Sequence, residues 1–316
     1  MYDFQSIFQT YVDSDDVLIL AVSGGVDSMV LLHMVERSHP RAHIVIAHYN
    51  HSLRWEESDG DEALVRATAT RLGIRYEVGQ WDISVMAKAE KMSIEMIARR
   101  ERYTFFEEVR IRYGGRYILT AHHASDQAET ILMHLIKWGK SRWLSGMPTL
   151  SGYIYRPLLS LSKRDILAYA EMHSISYRED SSNMSDIYER NRIRHDILPR
   201  MREMNPTIEE TLTELGEYAT ELTLYLSLEV DRWLQKESEN QDGILSFSVS
   251  AFLGESVFFQ KEIITTLYSR AHDGSTQWLS RGLIAELIRY ITTAEGATIK
   301  PAWKLRLEKK KNQVYY

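Results

Sequence analysis

Cysteine is absent from the 316 residues of this chain. A disulfide scaffold, thiolate zinc sites, iron–sulfur clusters and any thiol or persulfide chemistry carried by the chain are therefore excluded. No run approaches the ~18 uncharged apolar residues that a membrane-spanning helix needs. The start, MYDFQSIFQTYVDSDD, is acidic and lacks the basic and apolar segments of a signal peptide. We therefore expect an intracellular, cytoplasmic protein that contacts no membrane.

Internal repeats and low-complexity segments are also absent from the sequence. With 44% hydrophobic and 26% charged residues, the composition is that of a soluble protein able to bury a core. This composition excludes a disordered or collagen-like chain. The length is about twice that of a usual domain, which predicts two domains.

The net charge of −6 is unevenly distributed along the chain. Residues 97–202 carry a net charge of +6 and residues 244–316 one of +4, whereas residues 1–96 carry −7 and residues 203–243 carry −9. Such asymmetry indicates a polyanion partner that meets the middle and the last part of the chain. Ordinary fluctuation of surface charge explains the same numbers, so charge alone leaves both interpretations open.

The first half of the chain alternates apolar, β-branched runs with helical patterns. Strands are predicted at residues 17–22, 43–50, 74–79 and 116–123, and helices at residues 29–37, 56–72, 94–111 and 124–138. Alternation of this kind implies parallel crossovers, and hence an α/β fold with a doubly wound, mostly parallel sheet and helices on both faces. Ligands of such sheets lie outside the carboxyl ends of the strands, where the polar segments 23–28, 48–54 and 122–126 fall.

The pattern changes after Gly139, where a loop with short extended pieces leads to a helix at 163–173 with Ser162 as its candidate cap. Residues 207–239 are predicted to form one or two long helices with an acidic exposed face. We place the domain boundary near Asn205 and Pro206. The predicted division is a catalytic domain over 1–205, an acidic helical linker over 206–243 and a smaller C-terminal α+β domain over 244–316.

The segment Ser23-Gly24-Gly25-Val26-Asp27-Ser28 stands between a buried strand and a helix. Glycines at such a turn let backbone N–H groups approach a phosphate, and the helix N-terminus adds positive partial charge. An acid in this loop is favourable if a divalent cation such as Mg²⁺ binds together with the phosphate oxygens. The alternative is a tight turn in which Asp27 only caps the helix.

SGGVDS resembles the phosphate loop of the ATP pyrophosphatases, the PP-loop enzymes, which cleave ATP between the α and β phosphates and activate a substrate as its adenylate. Six further segments, in the right order, resemble the tRNA(Ile)-lysidine synthetase family: HYNHSLR (48–54), ARRERY (98–103), HHASDQAET (122–130), RPLL (156–159), EDSSN (179–183) and RNRIR (190–194). The resemblance covers roughly residues 17–200. It implies an adenine nucleotide α hydrolase-like fold, and a chain that ends without the additional terminal domain of longer members.

One position departs from the family pattern, because Ser125 stands where the family has the first of two aspartates. We expect Asp126, the second acid, to be the functional one. The residue at position 125 then only helps to cap a helix, which serine can do.

The resemblance implies an ATP-dependent reaction on the isoleucine tRNA with the anticodon CAU. The C2 oxygen of its wobble cytidine, position 34, is adenylated, and L-lysine then displaces AMP to give lysidine. ATP and Mg²⁺ are the implied cofactors, the C-terminal domain and basic middle are expected to hold the tRNA, and a homodimer is left open. The implied site residues are as follows: catalytic, Asp27, Arg99, His123 and Asp126; ATP-binding, Ser23, Gly24, Gly25, Val26, Asp27, Ser28, His48 and Asn50; substrate or tRNA-binding, Arg102, Glu129, Arg190, Asn191 and Arg194; Mg²⁺-binding, Asp27.

Several of these residue types have a second interpretation. Histidines at two strand ends are typical of a metal site only if three or four ligands converge, so hydrogen bonds to phosphates or helix capping are favoured. Arg99 and Arg102 share a helix face, where they either stabilise a leaving group or form surface salt bridges. The arginines of RNRIR are two apart and cannot all share one face, so some face phosphates and others structural carboxylates such as Asp180.

Two other functions use the same loop chemistry. A tRNA thiolase is disfavoured because it needs cysteines, but a synthetase fed with free ammonia, such as an NAD synthetase, needs none. A nucleotide- or RNA-binding protein that has lost catalysis is the alternative from another class, with Ser125 as the suspicious departure. Intact Asp27 and Asp126 argue against it.

Overall fold

The computed structural model of the chain describes residues 4–50, 56–80, 86, 90, 93–137, 144–178, 189–241, 244–271, 279–293, 298–302, 305–310 and 313–315. The chain forms two compact units, Met1–Tyr218 and Ala219–Tyr316. In the described part, helices long and apolar enough to cross a membrane are absent.

The first unit is built on a six-stranded sheet with the order β3-β2-β1-β4-β6-β5. Its strands are β1 (Leu18–Ala21), β2 (Ile44–Asn50), β3 (Arg75–Gln80), β4 (Tyr117–Leu119), β5 (Leu150–Ser151) and β6 (Ile154–Tyr155). Its helices are α1 (Phe4–Gln9), α2 (Val26–Ser38), α3 (Glu56–Leu72), α4 (Ile94–Tyr113), α5 (Ala124–Lys137), α6 (Lys163–Met172), α7 (Glu189–Arg192), α8 (Leu198–Met204) and the first part of α9 (Ile208–Glu237), with a 3-10 turn at Arg41–His43 and a π-helical turn at Ile193–Ile197.

The strands of this sheet are parallel except for β5, which pairs antiparallel with β6. Alternate residues of β1 pack into two hydrophobic cores, one on each face of the sheet, because successive side chains of a strand point to opposite faces. Leu18 and Leu20 pack with α2, whereas Ile19 packs with Phe106 and Val109 of α4. Helices therefore cover both faces, and the predicted doubly wound, mostly parallel sheet is confirmed.

Local sequence signals explain where several helices begin and end. The Ser93 hydroxyl accepts a hydrogen bond from the Met96 N–H and starts α4, which ends at Gly114 in the left-handed conformation. Ser162 caps α6 as predicted, because its hydroxyl accepts a bond from the Asp165 N–H. The fourth predicted strand is longer than β4, because only Tyr117–Leu119 pairs along the sheet.

The predicted long acidic helix is one continuous helix, α9, and the division between the two units falls inside it. Near its start Leu212 is buried with Ile131 of α5 and Leu198 of α8. The first turns of α9 thus belong to the core of the first unit. The proposed boundary at residue 205 and linker over 206–243 stay a prediction.

The second unit is a smaller α+β unit. Its antiparallel sheet has the order β7-β8-β11-β10-β9, formed by β7 (Ser238–Gln241), β8 (Ile244–Ser248), β9 (Thr298–Ala302), β10 (Leu305–Lys310) and β11 (Gln313–Tyr315). Its further helices are α10 (Val249–Gly254), α11 (Val257–Ala271) and α12 (Arg281–Thr293). Trp233 and Phe247 pack edge to face in its core. Strand β7 was not predicted, because its residues are all polar.

Candidate active site at the carboxyl edge of the sheet

Two of the three predicted polar segments, 23–28 and 122–126, meet where the strand order reverses, whereas residues 51–54 of the third lie outside the described residues. β1 lies between β2 and β4, so the chain leaves β1 on one side and returns to it on the other. The carboxyl ends of neighbouring parallel strands with helices on opposite faces leave a crevice at such a switch point. The loop 23–28 follows β1 and the segment 122–126 follows β4, so both border this crevice.

The phosphate loop is held by Ser28, which is buried. Its hydroxyl accepts the backbone N–H groups of Ser23 and Gly24, both at 3.2 Å, and donates to the Gly25 carbonyl at 2.9 Å. The Ser28 hydroxyl therefore holds the backbone of the phosphate loop in its turn. Gly24 has a positive φ of 99°, which favours glycine.

The N-terminus of α2 lacks a side-chain cap, because Gly25 occupies the N-cap position. The first N–H groups of a helix have no partner within the helix. Asp27 does not cap its own helix, contrary to the alternative interpretation of the motif. These amide groups, together with the helix dipole, form a site suited to a phosphate group.

Asp27 instead faces a cation and a histidine from other elements. Its Oδ1 accepts a hydrogen bond from the Lys163 ammonium at 2.6 Å, and His123 Nε2 lies 3.8 Å from the same oxygen. His123 Nε2 is also 3.6 Å from Oδ2 of Asp126. The imidazole thus stands between the two predicted catalytic acids. Lys163 lies outside the recognised motifs and was not predicted as a site residue.

His123 has its tautomer set by the helix that follows it. The Ser125 N–H donates to His123 Nδ1 at 3.2 Å, so Nδ1 is an acceptor and caps α5. The ring proton therefore lies on Nε2, the atom that faces Asp27 and Asp126. Capping was one of the two interpretations offered for these histidines, and here it also orients the ring.

Behind His123, two acids of α5 are clamped by two arginines. Glu129 is 1% exposed and accepts bonds from Nε of Arg190 at 2.6 Å and Nε of Arg194 at 2.5 Å. Both guanidinium groups also reach Oδ1 of Asp126, at 3.2 and 3.3 Å. Arg190 and Arg194 are four residues apart and share one face, whereas Arg192 is exposed. The three arginines therefore do not share one face, as predicted, and two of them pair with structural carboxylates. The predicted phosphate contacts stay a prediction, and Asp180 lies outside the described residues.

The charge state of Asp126 follows from these neighbours. Burial alone raises the pKa of a carboxyl, but His123, His122 and Arg190 outweigh it and hold the pKa of Asp126 below its usual value. Burial lowers the pKa of His122 to about 4, so this ring is neutral near pH 7. The permanent charges beside Asp126 are those of Arg190 and Arg194, which both contact its Oδ1.

The expected role of residue 125 is wrong in one respect. The Ser125 hydroxyl does not cap α5, since it donates to Oε1 of Glu209 on α9 at 3.0 Å. Arg202 donates to the same oxygen through Nε at 3.1 Å. An aspartate at position 125 would face the Glu209 carboxylate and repel it. The serine hydroxyl instead donates a hydrogen bond to that carboxylate.

His48 and Asn50, at the end of β2, are almost completely buried. His48 Nδ1 bonds to the Val22 carbonyl at 2.8 Å, which makes Nδ1 the donor and leaves Nε2 as an acceptor. Among the described residues Nε2 has no partner. Asn50 donates to Oε2 of Glu62 at 3.1 Å. Both residues therefore tie the phosphate loop and α3 to the sheet from beneath.

Three arginines, Arg99, Arg102 and Arg156, lie around Tyr103. The Cζ atoms of Arg99 and Arg102 lie 5.1 and 5.7 Å from the ring centroid of Tyr103. Arg156, 7% exposed, interacts with the same tyrosine, and its Nε has no hydrogen-bond partner among the described residues. Within the described residues none of the three pairs with a carboxylate. The cluster is strongly cationic, and the presence of Arg156 in it was not predicted.

The structure therefore brings Asp27, His123 and Asp126 together and places Arg99 and Arg102 in a second, cationic cluster. Among the described residues, no group of three or more histidine, aspartate or glutamate side chains is arranged to hold a metal ion. The motif residue His51 and the segment 179–183 lie outside the described residues, as does the side chain of Glu95.

Comparison with known proteins agrees with this architecture. Residues 2–201 match the PP-loop domain family. The U34-tRNA thiolase of Methanococcus maripaludis has a similar fold, with a TM-score of 0.55 over 69% of this chain and 79% of that chain at 18% identity.

Curated relatives narrow the family further. A tRNA(Ile)-lysidine synthase of Parabacteroides distasonis is 39% identical over 217 residues, which is 68% of this chain and 49% of that protein. One from Chlorobaculum tepidum is 35% identical over 259 residues, 81% of this chain and 78% of that protein. The chain spans about half the length of several relatives that it matches. With the PP-loop domain and these relatives together, the chain belongs to the tRNA(Ile)-lysidine synthase family.

Proposed function

We propose that this protein is a tRNA(Ile)-lysidine synthetase, a ligase that forms a carbon–nitrogen bond with ATP. The observation that carries the proposal is the convergence of the uncapped phosphate loop with Asp27, His123 and Asp126 in a chain of this family. In the proposed reaction the C2 oxygen of cytidine 34 attacks the α-phosphate of ATP and pyrophosphate leaves. The ε-amino group of L-lysine then forms a bond to C2, and AMP leaves.

The ATP phosphates are assigned to the loop between β1 and α2. The amides at the start of α2 donate to phosphate oxygens, and Ser23, Gly24, Gly25, Val26 and Ser28 form the cradle. Mg²⁺, when bound, offsets charge on the leaving pyrophosphate. One carboxylate with phosphate oxygens and water is a common set of ligands for Mg²⁺, so Asp27 fits that role. His48 and Asn50 support the loop from the neighbouring strand.

The amine of L-lysine is assigned to the acids beyond the loop. Its unperturbed pKa is ~10.4, so it arrives as an ammonium and must lose a proton before it attacks. Ionised Asp126 first holds the ammonium and then accepts the proton that the amine loses as it attacks C2. His123 Nε2–H, between the two acids, is placed to donate a hydrogen bond to a phosphate oxygen or to the adenylate.

The tRNA is assigned to the cationic side of the crevice. Arg99 and Arg102 project beside Tyr103, and a tyrosine flanked by arginines suits an unstacked base and its phosphate. Arg190, Asn191 and Arg194 form the second part of this surface, with Glu129 holding the two arginines in place. A C-terminal tRNA-binding domain over 244–316 is part of the proposal, and a homodimer is its proposed assembly.

The experiment combines purified protein, ATP, Mg²⁺, labelled L-lysine and the isoleucine tRNA with the anticodon CAU. We expect lysine label in the tRNA, with one AMP and one pyrophosphate released for each lysine incorporated. The Asp126→Asn variant should lower incorporation by at least about 100-fold, as expected for a group that acts on the reacting atoms. Arg192→Gln is the control, because Arg192 is exposed and lies outside the clamp.

Two outcomes contradict the proposal. AMP formed with ammonia and a small acceptor, but no labelled tRNA, would indicate an ammonia-fed synthetase. No turnover of ATP by a protein shown to be folded would indicate a nucleotide- or RNA-binding protein without catalysis.

A further inference from the structure

Arg178, which follows α6 in the chain, contacts two other elements beside the crevice. Its backbone N–H donates to the Gly24 carbonyl of the phosphate loop at 3.0 Å. Its Nε donates to Oδ1 of Asp61 on α3 at 2.9 Å, across 117 residues of chain. Asp61 itself packs against the loop, since a Cβ at Gly24 would lie 3.3 Å from Cβ of Asp61. The phosphate loop, α3 and the segment after α6 therefore meet at Arg178.

The same arginine accounts for a glycine inside α3. Glycine within a helix is less stable than alanine, so Gly60 needs an explanation. A Cβ at Gly60 would lie 2.7 Å from Cζ of Arg178, and 2.9 and 3.0 Å from its two terminal nitrogens. The guanidinium group thus occupies the space that a side chain at position 60 would fill. Gly60 and Asp61 together hold the Arg178 side chain against α3.

The backbone bond from Arg178 sets the orientation of one peptide group in the phosphate loop. The C=O and N–H of a trans peptide point in opposite directions, so the Gly24 carbonyl that faces Arg178 turns the Gly25 N–H to the other side. That N–H lies 3.5 Å from Ser23 Oγ, within the loop. Glycine on both sides lets such a peptide turn over at little steric cost. A turned peptide would present a carbonyl oxygen to a phosphate in place of an N–H.

We propose that Arg178 is a positioning residue for ATP, which keeps the N–H of the Gly24–Gly25 peptide directed at the nucleotide phosphates without contacting the nucleotide itself. Its side chain, held by Gly60 and Asp61, keeps the backbone donor at the Gly24 carbonyl. The ion pair is partly exposed, 46% for Arg178 and 34% for Asp61, and such a pair contributes little to overall stability. Its loss therefore changes the phosphate loop without unfolding the protein. This inference rests on the proposed function only in taking ATP as the nucleotide.

Gly60→Ala separates this role from a merely structural one. The new Cβ displaces the guanidinium group, whereas alanine favours the helix more than glycine does. We expect the Kd of α,β-methylene ATP with Mg²⁺, measured by isothermal titration calorimetry, to rise about threefold to fivefold, the order of one exposed ion pair. The unfolding temperature without nucleotide should not fall. Affinity and stability would change together if Arg178 only stabilised the fold.

Arg178→Gln should raise the same Kd by a similar factor. In the double variant Gly60→Ala should have no further effect on affinity, because the guanidinium group that it displaces is already gone. Hydrogen exchange, measured by mass spectrometry on peptides that contain residue 178, should be faster at this amide in both single variants. Its N–H is the donor to the Gly24 carbonyl.

Arg112→Gln is the matched control. Arg112 lies in the last turn of α4, is 57% exposed and pairs with Glu77 at 2.9 Å. Its loss also removes one exposed ion pair, but one that does not involve the phosphate loop. The affinity for the ATP analogue and the exchange of the residue 178 amide should both stay unchanged.

Three results overturn the inference. The first is an unchanged affinity of Gly60→Ala and Arg178→Gln for the ATP analogue. The second is a double variant in which the two losses of affinity add. The third is an affinity of Gly60→Ala that falls together with its unfolding temperature. Absence of analogue binding by the unmodified protein overturns the proposed function as well, whereas a protein that shows the expected affinities but makes no lysidine contradicts the proposed function alone.

Discussion

In each of two histidines of the site, one hydrogen bond to the backbone decides which ring nitrogen carries the proton. His48 donates through Nδ1 to the Val22 carbonyl, and His123 accepts through Nδ1 from the Ser125 N–H. The first ring therefore presents an acceptor at Nε2 and the second presents a donor. One bond of about 3 Å decides which hydrogen-bonding role an imidazole takes.

The burial of His48 predicts a pH dependence of stability. Burial lowers its pKa, although the bond to the Val22 carbonyl acts in the opposite direction. Below the unfolded pKa of ~6.5 the unfolded chain binds the extra proton more readily than the folded protein does. The stability that neutral His48 supplies is complete above pH 6.5 and is lost as the pH falls from there through the folded pKa.

His48→Asn tests this dependence by urea unfolding at pH 7.5, 6.5 and 5.5. Asparagine keeps a donor for the Val22 carbonyl and cannot be charged, so the free energy of unfolding should fall less steeply with acid. His43→Asn is the control, because His43 also bonds to a carbonyl, that of Ser14, but is partly exposed. Equal slopes for the unmodified protein and His48→Asn would refute the prediction.

At the scale of elements, the conformation of the βα turn after β1 requires glycine at position 24 more than at position 25. Gly24 has a φ of 99°, and a Cβ there would lie 3.3 Å from Cβ of Asp61. Gly25 has a φ of −74°, and a Cβ there would meet only the Ser23 hydroxyl at 3.7 Å. We expect Gly24→Ala to lower the free energy of unfolding by about 1–3 kcal/mol, and Gly25→Ala by about 1 kcal/mol or less.

Chemical denaturation of both variants provides the measurement. The two substituted positions differ in the backbone conformation and in the space that is available to a Cβ atom. Equal stability losses would contradict the assignment of the strain to Gly24.

Most elements of the first unit were predictable from the period of apolar residues. α3 has the predicted bounds, and α4 and α6 begin at the predicted residues, because caps and apolar stripes act over a few neighbouring positions. Strand β7 was missed, since its polar side chains give no period and its pairing with β8 alone makes it a strand.

For the whole molecule, the start of α9 predicts where the first unit can be cut. Leu212 is 7% exposed and packs with Ile131 and Leu198, while Glu209 pairs with Arg202. A fragment 1–205 loses both contacts, whereas a fragment 1–218 keeps them. We expect 1–205 to be less stable by about 3 kcal/mol, mostly from the lost burial of Leu212.

Urea unfolding of the two fragments measures the difference. If 1–205 is as stable as 1–218, the boundary predicted from the sequence is the better one, and the first turns of α9 contribute nothing to the core.

The amino-acid sequence by itself determined the sheet, its crossovers, the phosphate loop and the family. These features are local, because a strand, a helix cap or a loop motif is specified by residues only a few positions apart. The ends of the predicted strands also placed the segments that contain Asp27, His123 and Asp126 at one edge of the sheet.

Only the tertiary structure decided how the charges of the site are paired. Lys163 meets Asp27 across 136 residues, Ser125 meets Glu209 across 84, and Arg194 meets Glu129 across 65. No period or spacing links such positions, since the contact exists only once helices from different parts of the chain pack together. The ion pairs around Asp126 and the hydrogen bond between Ser125 and Glu209 therefore follow from the packing of these helices.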